Sequence, residues 1–427
     1  MARRFARRCS PGKGEGLFAV NMLRAGELVF SAEPFACCVS KKQLKAACEN
    51  CLSRKDSLLR CSQCKIARFC NRDCQRQAWP EHKRECKSLQ RLHPITPTDS
   101  VRLVAKIIFR LLNEDQSPGQ ELYRLEEHES HMEDMSEEQR VGLEHLSSAL
   151  KLYLKDEAVD LSCLPSGLTP VSLLARMTCN CFTISDGELK EVGVGLYPNM
   201  SLLNHDCRPN CVMLFEGRIL HLRAIRDIQP NEELTISYID TLMPSSERRK
   251  RLQEQYHFLC QCQQCATADR DSDMLCGAEE VWRSCRDSIP HVEELQAEAD
   301  FEKVLKECQD LAGRCRDRVS DRNVYLLRVL DMALDACVNL GQWERALEYS
   351  ARTLEPYRLY YPDPHPARAV QLARVGKLQH YLGRLAEARD TFKQAYDVIK
   401  VTHGNEHALT NEVKEWLVEC QAEMDRS

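Results

Sequence analysis

The 427-residue sequence lacks any apolar run approaching the ~20 residues that a membrane helix needs. Apolar segments such as Leu103-Val104-Ala105-Lys106-Ile107-Ile108-Phe109 are short and broken by charge. No apolar signal core follows the basic start Met1-Ala2-Arg3-Arg4-Phe5-Ala6-Arg7-Arg8, which is brief for a transit peptide and runs into a Gly-rich turn. Biased tracts are missing too. Gly and Pro number 17 each, with 43% hydrophobic and 29% charged residues, which excludes a disordered or collagenous chain. The expectation is a nuclear and cytoplasmic protein without membrane partners, divided into about three domains of ~150 residues.

Cysteine is what the sequence has in excess, 24 in all. A secreted chain would spread them through small disulfide modules. Here ten fall into two runs of close spacing, Cys207 makes an eleventh candidate ligand and thirteen are scattered, so the eleven read as metal ligands and the rest as buried thiols. The first run is Cys48-x2-Cys51-x9-Cys61-x2-Cys64-x5-Cys70-x3-Cys74-x7-His82-x3-Cys86, eight ligands for two tetrahedral zinc sites. Its last two pairs are spaced i, i+4 and so share a helical face. A segment of roughly 40 residues builds too little core alone, so the metals would supply much of its folding energy. In the second run, Cys260-x-Cys262-x2-Cys265 offers three ligands and Cys207 is the obvious fourth. A third zinc would then join two distant segments.

Formal charge is uneven: +3 over residues 1–40, +8 over 41–90, −8 over 91–270 and −8 over 271–427. Counting ligand thiolates and two divalent ions lowers the +8 to about +5 and keeps the asymmetry. Such a surface suits acidic partners or a phosphate backbone, and equally a merely solvated face. The acidic C-terminal stretch is expected to form one wall of a cleft that steers basic ligands.

Local patterns complete the reading. Leu17–Val20 and Glu27–Phe30 read as strands, and Cys211–Phe215 with Arg218–Ile225 as a hairpin across Glu216-Gly217. Val101, Val104, Ile107, Ile108, Leu111 and Leu112 recur at helical spacing, and Ser136 to Gln139 fits a capping box. Leu340-Gly341, Ala346 and His365 recur 42 residues later as Leu382-Gly383, Ala388 and His407, the mark of stacked helix pairs.

The first Cys run, with Cys61-Ser62-Gln63-Cys64, Phe69-Cys70, Cys74-Gln75 and Trp79-Pro80-Glu81-His82-Lys83, resembles the MYND zinc finger. The resemblance implies interleaved ligands: Cys48, Cys51, Cys70 and Cys74 for one zinc, Cys61, Cys64, His82 and Cys86 for the other. It also implies proline-rich peptide partners, with Trp79 a contact; DNA is the alternative partner of this basic finger. Asn204-His205-x-Cys207-x-Pro209-Asn210 followed by Glu232-Glu233-Leu234-Thr235-x2-Tyr238 resembles the signature pair of SET-domain protein-lysine methyltransferases. Lys13-Gly14-Glu15-Gly16-Leu17 matches their N-terminal turn. With a finger between the SET halves, the chain as a whole resembles the SET and MYND domain-containing lysine methyltransferases.

That resemblance implies an α+β multidomain protein. Its parts are an N-terminal SET segment (1–47), a MYND zinc finger (48–86), a helical SET insert (87–178), a β-rich core SET domain (179–240), a Cys-rich post-SET zinc site (241–270) with Cys207, Cys260, Cys262 and Cys265 as ligands, and an all-α tetratricopeptide-like C-terminal domain (271–427). The implied activity is methyl transfer from S-adenosylmethionine to histone and non-histone lysines, with three zinc ions per monomeric chain. Histone tails and other lysine-bearing proteins are the implied partners. Methyl transfer is an in-line displacement by a neutral amine, so the site must align two reactants. Tyr238 is the implied catalytic residue, orienting amine and methyl by polar contact; a phenol titrating near ~10 is a poor base. The implied cofactor residues are Lys13, Gly14, Glu15, Tyr123, Glu129, His131, Ser201, Leu203, Asn204, His205, Tyr238, Tyr256 and Phe258. Phe182, Tyr238 and Tyr256 would line the lysine channel, where aromatic walls desolvate the stem and attract a methylated cation. Two rival readings are a weakly active interaction scaffold, against which intact Tyr238, Asn204 and His205 argue, and a DNA-binding transcriptional regulator, for which no recognition-helix code is evident.

Overall fold

The structure is a computed structural model and describes residues 4–113, 122–155, 159–361 and 363–426. The first three positions of the basic N-terminal run lie outside these, as do positions 114–121 and 156–158 of the expected helical insert. Among the described residues no helix is long and apolar enough to cross a membrane.

The chain begins with β1 (Phe5–Ser10), β2 (Gly14–Ala19), β3 (Leu28–Ala32) and β4 (Ala36–Val39). The cysteine-rich stretch follows with β5 (Leu59–Arg60), β6 (Arg68–Phe69) and α1 (Arg72–Leu92). Asn71 caps α1, its side chain accepting from the Cys74 N–H at 2.9 Å. The helix runs on past residue 86, so finger and insert share one rigid element.

In α2 (Asp99–Leu111), Val101, Val104, Ile107 and Ile108 are fully buried, as the 3.6-residue period requires. Then α3 (Glu137–Leu154) opens at the capping box: the Gln139 N–H donates to Ser136 Oγ at 3.2 Å, and the Ser136 N–H donates to Gln139 Oε1 at 2.9 Å. Next, α4 (Pro170–Asn180) leads directly into β7 (Cys181–Ser185).

The remaining strands are β8 (Glu191–Leu196), β9 (Asn204–His205), β10 (Cys211–Glu216), β11 (Ile219–Ala224) and β12 (Glu233–Ile236). They form three small sheets in the orders β1-β2-β12-β9, β10-β11-β3 and β4-β8-β7, beside the two-stranded β5-β6. The β10–β11 hairpin turns at the expected Gly217. Topologically decisive is β12, antiparallel to β2 on one side and parallel to β9 on the other. One sheet thereby collects three motifs that are far apart in sequence.

Helices α5 (Ser245–Tyr256), α6 (Gln263–Thr267) and α7 (Asp271–Met274) surround the second Cys run. The C-terminal region is all helix: α8 (Glu279–Ala297), α9 (Phe301–Cys315), α10 (Val324–Asn339), α11 (Trp343–Tyr360), α12 (Pro366–Tyr381), α13 (Leu385–Thr402) and α14 (Ala408–Met424). Residues 42 apart occupy like positions there. Gly341 and Gly383 turn the chain at positive φ, Ala346 and Ala388 are fully buried, and His365 and His407 cap α12 and α14. These helices rest against the β-rich region. Tyr361 donates its hydroxyl proton to Asp240 at 2.8 Å, and Lys377 Nζ lies 3.3 Å from Glu188.

A buried ionic cluster locks finger to insert. Arg102 of α2, with no exposed surface, places Nε 2.7 Å from Glu85 of α1 and Nη2 2.9 Å from Glu49, while Nη1 donates to the Val39 carbonyl at 2.8 Å. Lys106 Nζ lies 2.7 Å from Glu49 and 3.3 Å from Glu85, so two cations balance two carboxylates. Both carboxylates would stand poorly compensated if the guanidinium were lost. Arg102→Met is therefore expected to cost about 3–5 kcal/mol of stability, and adding Glu85→Gln to recover part of it. Denaturant titration of both variants checks this; a loss under about 1 kcal/mol for the single variant would place the pair among marginal surface bridges.

Candidate active site and metal centres

Three sets of four ligand atoms converge, each set within 4.8 Å: Cys48, Cys51, Cys70 and Cys74; Cys61, Cys64, His82 and Cys86; Cys207, Cys260, Cys262 and Cys265. The first two sets interleave as the finger resemblance implied, and the third joins the loop after β9 to the segment after α5. Four close, largely buried sulfur or imidazole ligands suit a tetrahedral divalent ion and little else. The indole of Trp79, 39% exposed, stands edge-on to the His82 ring at 6.1 Å.

The sheet order places the expected cofactor motifs side by side. Asn204 on β9 donates from Nδ2 to Glu233 Oε1 at 2.8 Å and to the Glu15 carbonyl at 3.1 Å. Lys13 Nζ lies 3.6 Å from the other Glu233 oxygen. The turn packs so tightly here that a Cβ on Gly16 would sit 2.6 Å from Glu233 Oε1 and 2.9 Å from Asn204 Nδ2. Gly14, at φ +75°, makes the reversal that brings Glu15 across. The Glu15 carboxylate turns away to pair with Arg7 at 3.2 Å.

Tyr238 lies two residues past the end of β12. Its N–H donates to His205 Nδ1 at 3.0 Å, and its hydroxyl donates to the Leu203 carbonyl at 2.5 Å. Burial holds the phenol well above its ordinary range, so it stays protonated as a donor. The Tyr238 ring lies 4.7 Å from Tyr256 and 6.2 Å from Phe258, and Tyr256 donates to the Tyr238 carbonyl at 3.4 Å. Phe182, on β7, packs its ring edge-on to Tyr197 at 5.7 Å. His205 is buried and its other nitrogen, Nε2, lies 3.3 Å from Cys207 Sγ; burial lowers its pKa to about 4. Both ring nitrogens thus face protein groups.

Two of the remaining expected residues, Glu129 and Ser201, meet at Asn180, at the end of α4. Asn180 Nδ2 donates to the Glu129 carbonyl at 2.9 Å, and Ser201 Oγ donates to the Asn180 carbonyl at 3.2 Å. Tyr123 stacks on buried His128 at 4.2 Å, and His131 on His257 at 4.8 Å. Asn180, Glu233, Arg7 and His128 were not singled out from sequence. The glutamate stood inside a quoted motif, but the other three carry no local signal.

Behind Tyr238 a cavity of about 540 Å³ separates the β-rich region from the C-terminal helices. Ile236, Ser237 and Asp240 line one side, and Tyr357, Tyr361, His365, Gln371 and Arg374 the other. Beneath that helical wall lies Asp331, with Tyr357 donating to its carboxylate at 3.0 Å and Gln371 at 3.4 Å.

A sequence model of the SET domain matches residues 14–239, more than half of the chain, and a tetratricopeptide-repeat model matches residues 325–400. Fold and site thus define a SET-domain protein. The chain is 45% identical to the histone-lysine N-methyltransferase SMYD3 of Homo sapiens over 97% of both chains. It is 32% identical to the N-lysine methyltransferase SMYD2 of Bos taurus over 95% of this chain and 96% of that one. It belongs to the SET and MYND domain-containing lysine methyltransferase family. Among solved structures, the SET domain of LSMT bound to lysine and AdoHcy overlaps at a TM-score of 0.35 and 13% identity, covering 98% of this chain and 95% of that one, a likeness too slight to argue from.

Burial raises the Asp331 pKa to about 7. The folded state then holds a proton that the unfolded chain has released, so stability falls as pH rises from about 4 to about 7 and levels off above. Asp331→Asn is expected to remove up to about 1.4 kcal/mol per pH unit of that slope. Denaturant midpoints taken between pH 5 and 8 on both proteins check it; identical slopes would contradict it.

Proposed function

We propose that this chain transfers methyl groups from S-adenosylmethionine to lysine side chains of histones and other proteins. The carrying observation is the position of Tyr238, buried beside Tyr256 and Phe258 and anchored on both sides of the Asn204-His205 strand. When bound, the cofactor supplies an electrophilic methyl on a sulfonium centre. Lys13, Asn204 and the backbone of Gly14 and Glu15 would hold its amino-acid end, with the backbone of His205 and Leu203 beside it. Tyr123, Glu129, His131 and Ser201 would close over it. The Tyr238 hydroxyl, kept protonated, orients the amine and the methyl for in-line approach rather than taking a proton. Tyr256, Phe258 and Phe182 exclude water from the lysine stem and favour a methylated cation.

The three ligand sets would hold zinc, Cys₄, Cys₃His and Cys₄, since thiolate-rich tetrahedral sets select that ion. With the domain division given above, the proposal is a monomer of nucleus and cytoplasm; the 42-residue spacing supports a tetratricopeptide-like array behind the catalytic unit. Trp79 favours a proline-rich peptide over DNA as the finger's partner, because proline segments dock on aromatic faces. A basic substrate chain would lie in the cavity behind Tyr238, where Asp240 offers it negative charge.

The direct test is transfer of labelled methyl to a histone-tail peptide. Tyr238→Phe is expected to lower kcat about 100-fold or more while the cofactor Kd moves less than about threefold. Equal, small changes in both would overturn the assignment. On a basic peptide, kcat/KM is expected to fall steeply with added salt, and the slope to flatten in Asp240→Asn. An unchanged slope would remove the acidic cleft from the account.

A further inference from the structure

Two groups of the expected cofactor residues come from separate segments of the chain, the Lys13–Glu15 turn and the stretch from Tyr123 to His131. One side chain reaches both. Arg7, in the middle of β1, places Nε 3.2 Å from Glu15 Oε2 and donates from Nη1 to the Leu122 carbonyl at 2.9 Å and to Glu127 Oε1 at 2.8 Å. Its guanidinium also lies 5.3 Å from the centre of the Tyr123 ring. That ring stacks on His128, whose Nδ1 is 2.8 Å from the Arg124 carbonyl. The Glu127 carboxylate is itself fixed, since its second oxygen accepts from the Arg124 N–H at 2.9 Å.

We infer that Arg7 is a positioning residue for cofactor binding: its guanidinium clasps the Leu122–His131 stretch onto the Gly14–Glu15 turn and so preforms the pocket between them. This rests on the reading above that Tyr123, Glu129 and His131 close over the cofactor. Each ion pair alone is weak, because Arg7, Glu15 and Glu127 are a quarter to two-fifths exposed. The fork is what matters. A planar guanidinium satisfies two carboxylates and a carbonyl at once and still lies against an aromatic ring, which an ammonium does not. Without it, ordering of the closing stretch is deferred to the moment of binding, and its cost appears in affinity. Tyr238 and its anchors lie on other strands, so transfer from the filled site proceeds as before.

Calorimetric titration of the full chain with S-adenosylmethionine and S-adenosylhomocysteine tests this. Arg7→Ala is expected to raise both Kd values about tenfold or more, while kcat at saturating cofactor changes less than about threefold. Arg7→Lys, which keeps the charge and loses the fork, should fall near the alanine variant rather than near the wild type. Glu127→Gln should weaken binding, and its effect should largely vanish in an Arg7→Ala background. Four results overturn the clasp, three of them without touching the cofactor reading. In one, Arg7→Lys binds like the wild type. In another, kcat at saturation drops as far as affinity does. In the third, Tyr123→Ala weakens binding but neither Arg7 variant does, which removes the clasp and leaves the cofactor reading standing. If Tyr123→Ala and Arg7→Ala both bind normally, the closing stretch itself has been misassigned and the clasp goes with it.

Discussion

The Cys207 sulfur is the joint at which the candidate site is assembled. It lies 3.5 Å from Cys265 and 4.0 Å from Cys260, ligands more than fifty residues further along, and 3.3 Å from His205 Nε2. The His205 ring carries the connection onward, because its Nδ1 accepts the Tyr238 N–H. One side of this joint is the aromatic wall of Tyr256 and Phe258, which the converging cysteines fix in space. The other is the β9–β12 pair that presents Asn204 and Tyr238. Thiols so close together would repel one another once ionised, and a divalent ion held among them would neutralise that repulsion. The chemistry of the site and the folding of residues 204–265 are in this sense one problem.

The finger is joined to the rest by different means. Its two ligand sets, once filled, would fold a stretch too small for a core of its own, while Arg102, Lys106, Glu49 and Glu85 bind it to the insert through buried charge. Glu85 also lies 3.8 Å from Nδ1 of the ligand His82. A carboxylate behind a ligating imidazole fixes ring orientation and strengthens the donor. The finger is thus held rigidly against β4 and α2, and any partner it recruits meets the catalytic unit at a set angle.

Much of this was legible in the sequence because it rests on spacing. CxxC pairs, the His82–Cys86 pair on α1, the Ser136–Gln139 capping box and the Gly217 hairpin each encode a local geometry that the structure realises. The other i, i+4 pair is a correction: Cys70 precedes the Asn71 cap of α1, so it meets Cys74 from the turn before the helix and not from a shared helical face. The signature motifs likewise announced Asn204, His205 and Tyr238. What could not be read was partnership across the chain. Arg7 looks like one more basic residue near the start until the fold brings Glu15, Glu127 and Tyr123 to it. Asn180 ends a helix unremarkably in sequence, yet it holds Glu129 and Ser201 together. Arg102 and Lys106 interrupt an apolar helical pattern and would be placed on a solvent face by periodicity, whereas their carboxylate partners lie in the finger and make burial tolerable. The extent of α1 past residue 86 was hidden for a related reason, since ligand spacing marks where a metal site ends and says nothing of where a helix stops.

The central claim is that the Cys207 joint builds the transfer site. It is tested most directly by counting metal and measuring methyl transfer on the same sample of Cys207→Ala. The account expects native mass spectrometry to find three zinc ions in the parent chain and two in the variant, with the finger's pair retained and methyl transfer lost about 100-fold or more. A variant that keeps three ions, or that drops to two and still transfers methyl at the parent rate, would contradict it.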